Sequence, residues 1–391
     1  MTKPQVFAYQ DLLEAMDDFV QALGASSKQS QNRRAIEEAY REVAGSHDWS
    51  FLHVTGRVLV KAPQGTGTVT FDYTGGEYER MLQLEGATWP DWVENACIRF
   101  NDTVCDVELM KSSTVVTLDA QMCPLENVEA TTYSLFPRWY ILPSDFVSMD
   151  RPMDASNAWK LGEVRSISEI LELLHNDTST GDTDYYAVGP APDLYGSMAL
   201  YIWPPSDATE ALTFPYKRRP RELRYSGLDI GTDAAGTVSV TAGDNEVTGS
   251  GSAFDVEMAG SLLRIGSSTT RLPTGIVGGT RYAEQRVIHR APTATRILLD
   301  TTVETTRDNV RYTITDPLDV DVAAYDAVVA CARRNLVREK TPKLYPIYQD
   351  AYAKALARAK GDDYRITQRR VCGTPNTTYY RLADASSRPE I

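Results

Sequence analysis

The stretch VTGRVLVKAPQGTGTVTFDY, Val54 to Tyr73, decides the reading of the chain, because here the spacing of apolar residues changes to two. Val54, Val58 and Val60, then Val69, Phe71 and Tyr73, alternate with polar residues and Gly65 to Gly67 breaks the run, which is the pattern of short antiparallel strands. Met81, Leu82 and Leu84 follow, and the pattern continues through Ala96–Phe100, Val104–Leu109, Val115–Leu118 and Thr132–Leu135. Such strands predict a β-sandwich or small barrel over 51–141.

Outward from this segment the period returns to that of a helix. On its N-terminal side, Leu12, Met16, Phe19 and Leu23 form one stripe stopped by Gly24, and Ile36, Tyr40 and Val43 form another, predicting a helical hairpin over 1–50. On the other side comes a mixed α/β segment, 142–225, opening with Leu142-Pro143-Ser144-Asp145-Phe146 and completing the core. Within it, Ser166 and Glu169 have the spacing of a capping box. The Gly-rich stretch Gly236 to Ile314 is alternating again and predicts a small β-barrel inserted over 226–315, with Val238 and Val240 facing Val247 across Gly243-Asp244-Asn245. A C-terminal helical pair is expected over 316–360, with Asp316 as cap and Val322, Tyr325, Val329, Ala332 and Leu336 as its first stripe. An extended arm is expected over 361–391. The fold class expected is α+β: terminal helices form a bundle, and the antiparallel β-sandwich and barrel are insertions at its periphery.

The 391 residues carry a formal charge of −13, which disfavours a duplex-DNA grip and leaves a local basic patch as the only route to one. No apolar run approaches the length of a transmembrane helix, and no secretion signal is expected. Five scattered cysteines without a C-x-x-C pair suit reduced thiols. Four histidines stand without metal-ligand spacing, and phosphate-cradling or nucleophile motifs are missing, so no catalytic residue, cofactor or metal ligand is expected and the chain is read as not an enzyme. Paired carboxylates are too abundant to signal anything. The basic run from Lys217 to Arg224, opening Lys217-Arg218-Arg219-Pro220-Arg221, is assigned first to a protein-facing or intersubunit role, second to a solvated face and third to nucleic acid.

Taken together, the two N-terminal helices, the β-rich segment, the Leu142–Phe146 element, the strand into Tyr216-Lys217-Arg218-Arg219-Pro220, the unit containing Val247-Thr248-Gly249-Ser250-Gly251 and the terminal helical pair resemble head-to-tail adaptor (connector) proteins of tailed bacteriophages, podophage type. The resemblance implies a homo-oligomeric ring, usually twelve copies, in the virion neck after synthesis in the host cytoplasm. The portal protein lies above it, tail or nozzle proteins lie below, and double-stranded DNA passes through without specific binding. It also implies a C-terminal extension that reaches the portal. Tyr364, Arg365, Ile366, Arg369, Arg370, Val371, Tyr379, Tyr380 and Arg381 are the expected portal-binding residues, since Tyr and Arg dominate interfaces. Arg218, Arg219, Arg333 and Arg334 are expected to meet acids of a neighbouring subunit. Two alternatives from other classes stand beside this reading: a tail-associated peptidoglycan hydrolase, and a β-rich receptor-binding or decoration module.

Overall fold

The computed structural model describes residues 6–74, 78–150, 163–176, 179–181, 183–192, 194–227, 234–275 and 279–371. They divide into two compact units, one made of 1–52 with 220–391 and the other of 53–219. Chain order begins with α1 (Tyr9–Ala22) and α2 (Gln29–Gly45). Gly24, at φ +70°, ends the first helical segment in the left-handed region that a side chain disfavours.

The unit 53–219 opens with β1 (His53–Val60). A seven-stranded sheet follows, made of β2 (Thr68–Asp72), β3 (Met81–Glu85), β4 (Ala96–Phe100), β5 (Thr103–Met110), β6 (Val115–Leu118), β7 (Val128–Thr131) and β8 (Tyr133–Pro137), in the spatial order β7-β2-β3-β6-β5-β4-β8. The two end strands, β7 and β8, are separated in the chain by Thr132 alone. The ribbon therefore passes directly from one edge to the other, and the sheet curls into a half-barrel around Val69, Phe71, Leu82, Ile98, Phe100, Val116, Leu118 and Leu135. Next come β9 (Tyr140–Ile141), β10 (Phe146–Met149), β11 (Glu163–Val164), α3 (Ile167–Asn176), β12 (Tyr185–Pro190), β13 (Met198–Trp203) and β14 (Glu210–Arg218). These form the small sheets β11-β12-β13-β9 and β1-β14-β10. Because β14 returns antiparallel along β1, with Lys217 opposite His53, the unit starts and finishes at one place.

The other unit contains a second seven-stranded sheet: β15 (Thr237–Val240), β16 (Glu246–Ser250), β17 (Leu262–Ile265), β18 (Glu284–Thr293), β19 (Arg296–Leu299), β20 (Arg307–Val310) and β21 (Tyr312–Thr315), ordered β20-β15-β16-β19-β18-β17-β21. Its end strands are again consecutive, joined through Arg311. The described residues finish with α4 (Val322–Lys340) and α5 (Tyr345–Val371).

The two half-barrels are the same object built twice. Numbered within each sheet, both have the order 6-1-2-5-4-3-7. Their registers agree pair by pair: Val69 faces Thr131 and Phe71 faces Val128 across a bulge, as Val238 faces Val310 and Val240 faces Arg307 across one. A second bulge recurs between Val107/Leu118 and Leu109/Thr117, and between Ile288/Leu299 and Arg290/Leu298. Gly67 (φ +94°) and Gly236 (φ +74°) open the first strands, and a Cβ on either would lie 2.2 and 2.1 Å from the carbonyl oxygens of Glu85 and Ser250. The Tyr133 hydroxyl donates to the Thr66 carbonyl at 3.0 Å, and the Tyr312 hydroxyl donates to the Ala235 carbonyl at 2.7 Å. Each tyrosine is met edge-on by an aromatic ring, Trp89 or Phe254, with centroids 5.5 Å apart.

The expected α+β frame, a terminal helical bundle with β insertions at its edge, is overturned. The protein is mainly β, with five α-helices and twenty-one strands among the described residues. α1, α2, α4 and α5 share an apolar cluster around Leu12, Met16, Ile36, Tyr40, Val328 and Leu336, but α1 is also fastened to the second half-barrel. Arg264, fully buried on β17, donates to both carboxylate oxygens of Asp11 at 3.0 and 2.6 Å and to Gln10 Oε1 at 3.0 Å, and the Gly275 amide donates to Glu14. The second half-barrel is thus one unit with the helices rather than an appendage. The physical reason is that a polar edge on α1, invisible in an apolar-stripe reading, has charged and backbone partners on the sheet.

Three local expectations are also corrected. Asp316 does not cap α4; its carboxylate accepts from the Arg224 and Tyr225 amides and from the Ser261 hydroxyl, while Asp321 caps the helix through the Ala324 amide at 2.7 Å. The arm does not begin as extended chain at Asp362, because α5 continues to Val371. Arg334, expected as a surface arginine that meets acids of a neighbouring subunit, is 7 % exposed.

Candidate functional site: a thiol, a carboxylate and an imidazole

On the first half-barrel, the register of β4 and β5 sets Cys97 directly opposite Asp106. α3 brings the third member. Its start is fixed as its sequence suggests. The Ser166 amide donates to Glu169 Oε2 at 2.9 Å, and the Glu169 amide donates to the Ser166 hydroxyl at 3.2 Å. Ile170 and Leu174 seat the helix among Trp139, Tyr201 and Trp203. His175, next to the seated Leu174, then reaches the carboxylate.

The contacts are short and specific. The Cys97 thiol donates to Asp106 Oδ1 at 3.2 Å, and His175 Nε2 lies 3.2 Å from the same oxygen. Arg138, just beyond β8, donates to Oδ2 at 2.7 Å. His175 Nδ1 sits 2.6 Å from the Leu171 carbonyl, an oxygen that only accepts, so Nδ1 carries a proton. Burial works to raise the Asp106 carboxyl, but the His175 hydrogen bond, the Arg138 charge and the Cys97 thiol together hold it down at about 2. The hydrogen bond to Asp106 raises His175 above its ordinary value, and burial raises the fully enclosed Cys97 thiol well above its own. Asp106 and Arg138 also line a cavity of about 430 Å³ with Glu94, Glu108, Asp119 and Trp139.

Cys97, Asp106 and His175 are the group of metal-capable side chains that converges among the described residues, with donor atoms all within 4.8 Å of one another. Sequence reasoning missed them. Asp106 and His175 are 69 residues apart, and nothing in either neighbourhood marks a ligand.

The residues expected to contact partners are distributed differently. At the end of β14, Arg219 is exposed and Arg218 half-buried. In the other unit, Arg333 lies over the Phe19 ring at 5.3 Å, while Arg334 grips both oxygens of Glu42 at 2.9 and 2.6 Å and covers the Tyr352 ring at 4.6 Å. Arg334 therefore spends its charge inside the chain. Tyr364 is exposed on α5; Arg365, Ile366, Arg369, Arg370 and Val371 belong to the same helix, and Tyr379, Tyr380 and Arg381 lie outside the described residues.

These features define a mainly β protein on a duplicated seven-stranded half-barrel, with four helices in the unit of the second copy. Comparison of the chain with protein families, with characterised proteins and with solved structures gives no match. No helix among the described residues is long and apolar enough to cross a membrane.

Proposed function

We propose that the chain is a structural protein of a tailed-bacteriophage particle, a head-to-tail adaptor that forms a ring in the neck, below the portal and above the tail. α5 carries this reading. It is 27 residues long. At about 1.5 Å per residue such a helix spans roughly 40 Å. Among its described side chains, 345–364, Tyr352, Ala359 and Asp363 are buried and Tyr345, Tyr348, Ala355 and Leu356 are partly buried beside them, so one face packs on its own unit. The other face is open, with Ile347 65 % exposed and Tyr364 58 % exposed. A helix of this length that packs on its own unit along one face and leaves the other open is suited to packing against a neighbouring subunit or the portal.

In this reading the distal part of α5, with Tyr364, Arg365, Ile366, Arg369, Arg370 and Val371, together with Tyr379, Tyr380 and Arg381, supplies the portal contact. Arg218, Arg219 and Arg333 remain subunit-contact candidates, and Arg334 is withdrawn because Glu42 holds it. The charge of −13 supports passage of DNA rather than binding, since like charge keeps a duplex from adhering to the channel wall.

The test is sedimentation and electron microscopy of the purified full-length chain, alone and with a portal ring. The expected result is a closed ring, or a ring that forms on the portal. A chain that stays monomeric at micromolar concentration and leaves the portal bare overturns the reading.

A further inference from the structure

We propose that Cys97, Asp106 and His175 form a binding site for one divalent transition-metal cation of the zinc class, tying α3 to β4 and β5. The donor set is one sulfur, one nitrogen and one oxygen, the combination that borderline-soft cations prefer over calcium or magnesium. The spacing fits. Zinc bonds of about 2.0–2.3 Å in tetrahedral geometry place donors about 3.3–3.7 Å apart. Here Cys97 Sγ and His175 Nε2 each lie 3.2 Å from Asp106 Oδ1 and within 4.8 Å of each other, so two of the three separations are already those of a bound ion.

The surrounding contacts are those a ligand set requires. A metal-binding imidazole ordinarily donates its other ring N–H to a carbonyl or carboxylate, which fixes the ring and turns the free lone pair inward. His175 does this through Nδ1 to the Leu171 carbonyl at 2.6 Å. Asp106 is held through its second oxygen by Arg138, leaving Oδ1 as the converging atom. Asp106 also borders the cavity of about 430 Å³, so one of the three ligands is reached from open space.

The duplication supplies an independent argument. Matching registers set Leu262 at the position of Cys97 and Val287 at the position of Asp106, and the two face each other on β17 and β18. The half-barrel thus folds with hydrocarbon at both positions. A thiol and a carboxylate there are a departure made in one copy only, facing a histidine from α3.

Loading the ion is proton exchange without oxidation or reduction. The Cys97 thiol proton, and any proton on His175 Nε2, leave to water as sulfur–metal and nitrogen–metal bonds form; Asp106 Oδ1 supplies the third bond, and the hydrated ion releases the waters these donors replace. The inference does not rest on the adaptor reading, since a ring without metal and a metal-loaded monomer are separate results.

The test uses the full-length chain, stripped with a chelator and titrated with Co²⁺ as the probe. One Co²⁺ per chain is expected, with tetrahedral visible absorption and a thiolate-to-cobalt charge-transfer band, both displaced by Zn²⁺. Cys97→Ser should remove the charge-transfer band although Cys105 and Cys123 remain, and His175→Gln should weaken Co²⁺ binding at least tenfold. X-ray absorption on the zinc-loaded wild-type chain should find one sulfur per metal, and this holds the proposal to account even if a variant misfolds. Absence of saturable Co²⁺ binding, a band that persists in Cys97→Ser, or a sulfur count other than one overturns it; the four side chains are then a closed ion network around Asp106.

Discussion

At the scale of single residues, the duplication gives each informative contact an internal control. Tyr133 and Tyr312 occupy matching positions and donate to matching carbonyls, Thr66 and Ala235, in front of matching glycines. Removing either hydroxyl leaves a carbonyl without that partner at the mouth of the first strand. Tyr133→Phe and Tyr312→Phe should each cost about 1 kcal/mol, and the two losses should agree within about 0.5 kcal/mol, as read from chemical denaturation. A second residue-scale prediction concerns Glu42. The hydrogen bond from Arg334 holds its carboxyl below the ordinary glutamate value of 4.5 against the opposing effect of burial. A lowered folded-state value means the pair stabilises fully above the unfolded value and loses its contribution as pH falls through the folded one. Glu42 is 43 % exposed, so solvent limits the effect to about 1 kcal/mol or less. Glu42→Gln should therefore lower stability at pH 7, and the gap from wild type should close on acidification below the ordinary glutamate value; an unchanged gap at pH 3 would refute the assignment.

At the scale of elements, helices and sheets are joined by polar clamps as well as apolar faces. α1 shows this most clearly. Its stripe of Leu12, Leu13, Met16 and Val20 meets the helical cluster, and its adjacent face presents Gln10, Asp11 and Glu14 to the second half-barrel. Arg264 is the centre of that clamp, fully buried and also stacked over the Tyr282 ring at 4.6 Å. Breaking a buried ion pair from one side is costly because the remaining charge keeps its desolvation penalty. Arg264→Ala should destabilise this unit by about 3 kcal/mol, with hydrogen exchange rising first in α1 and β17. Loss of protection confined to α5 would contradict the clamp. α3 is the contrasting element: its capping box was legible from Ser166 and Glu169, but where it lands, and hence the partner of His175, was not.

At the scale of the whole molecule, the chain is one unit interrupted by another. The segment 53–219 enters along β1 and leaves along β14, two paired antiparallel strands, and encloses its own clusters around Phe71, Leu200 and Tyr201. Residues 53–219 expressed alone should therefore fold, giving a cooperative thermal transition and dispersed amide resonances. A fragment that lacks a transition would show that this unit depends on the remainder.

The sequence by itself determined what is local. Apolar stripes on α1 and α2 marked their buried faces, alternation marked strand faces on either side of Val69 and Val238, and Gly24 marked a helix end, whereas on α4 the expected stripe is rotated: Val322 is exposed, and Ala324, Val328 and Cys331 turn inward with Ala332 and Leu336. Only the tertiary structure decided partners. A period of two says which face of a strand is buried but not which strand lies beside it, because pairing energy comes from residues distant in sequence. The shared order 6-1-2-5-4-3-7 was hidden for this reason: the copies keep the same bulges and register while their core side chains differ, Phe71 against Val240 and Phe100 against Ile265. The second half-barrel read as an appendage because the Asp11–Arg264 clamp leaves no mark in either segment alone. Cys97, Asp106 and His175 were equally silent, since a ligand set drawn from two strands and a later helix exists only once α3 has docked on its sheet.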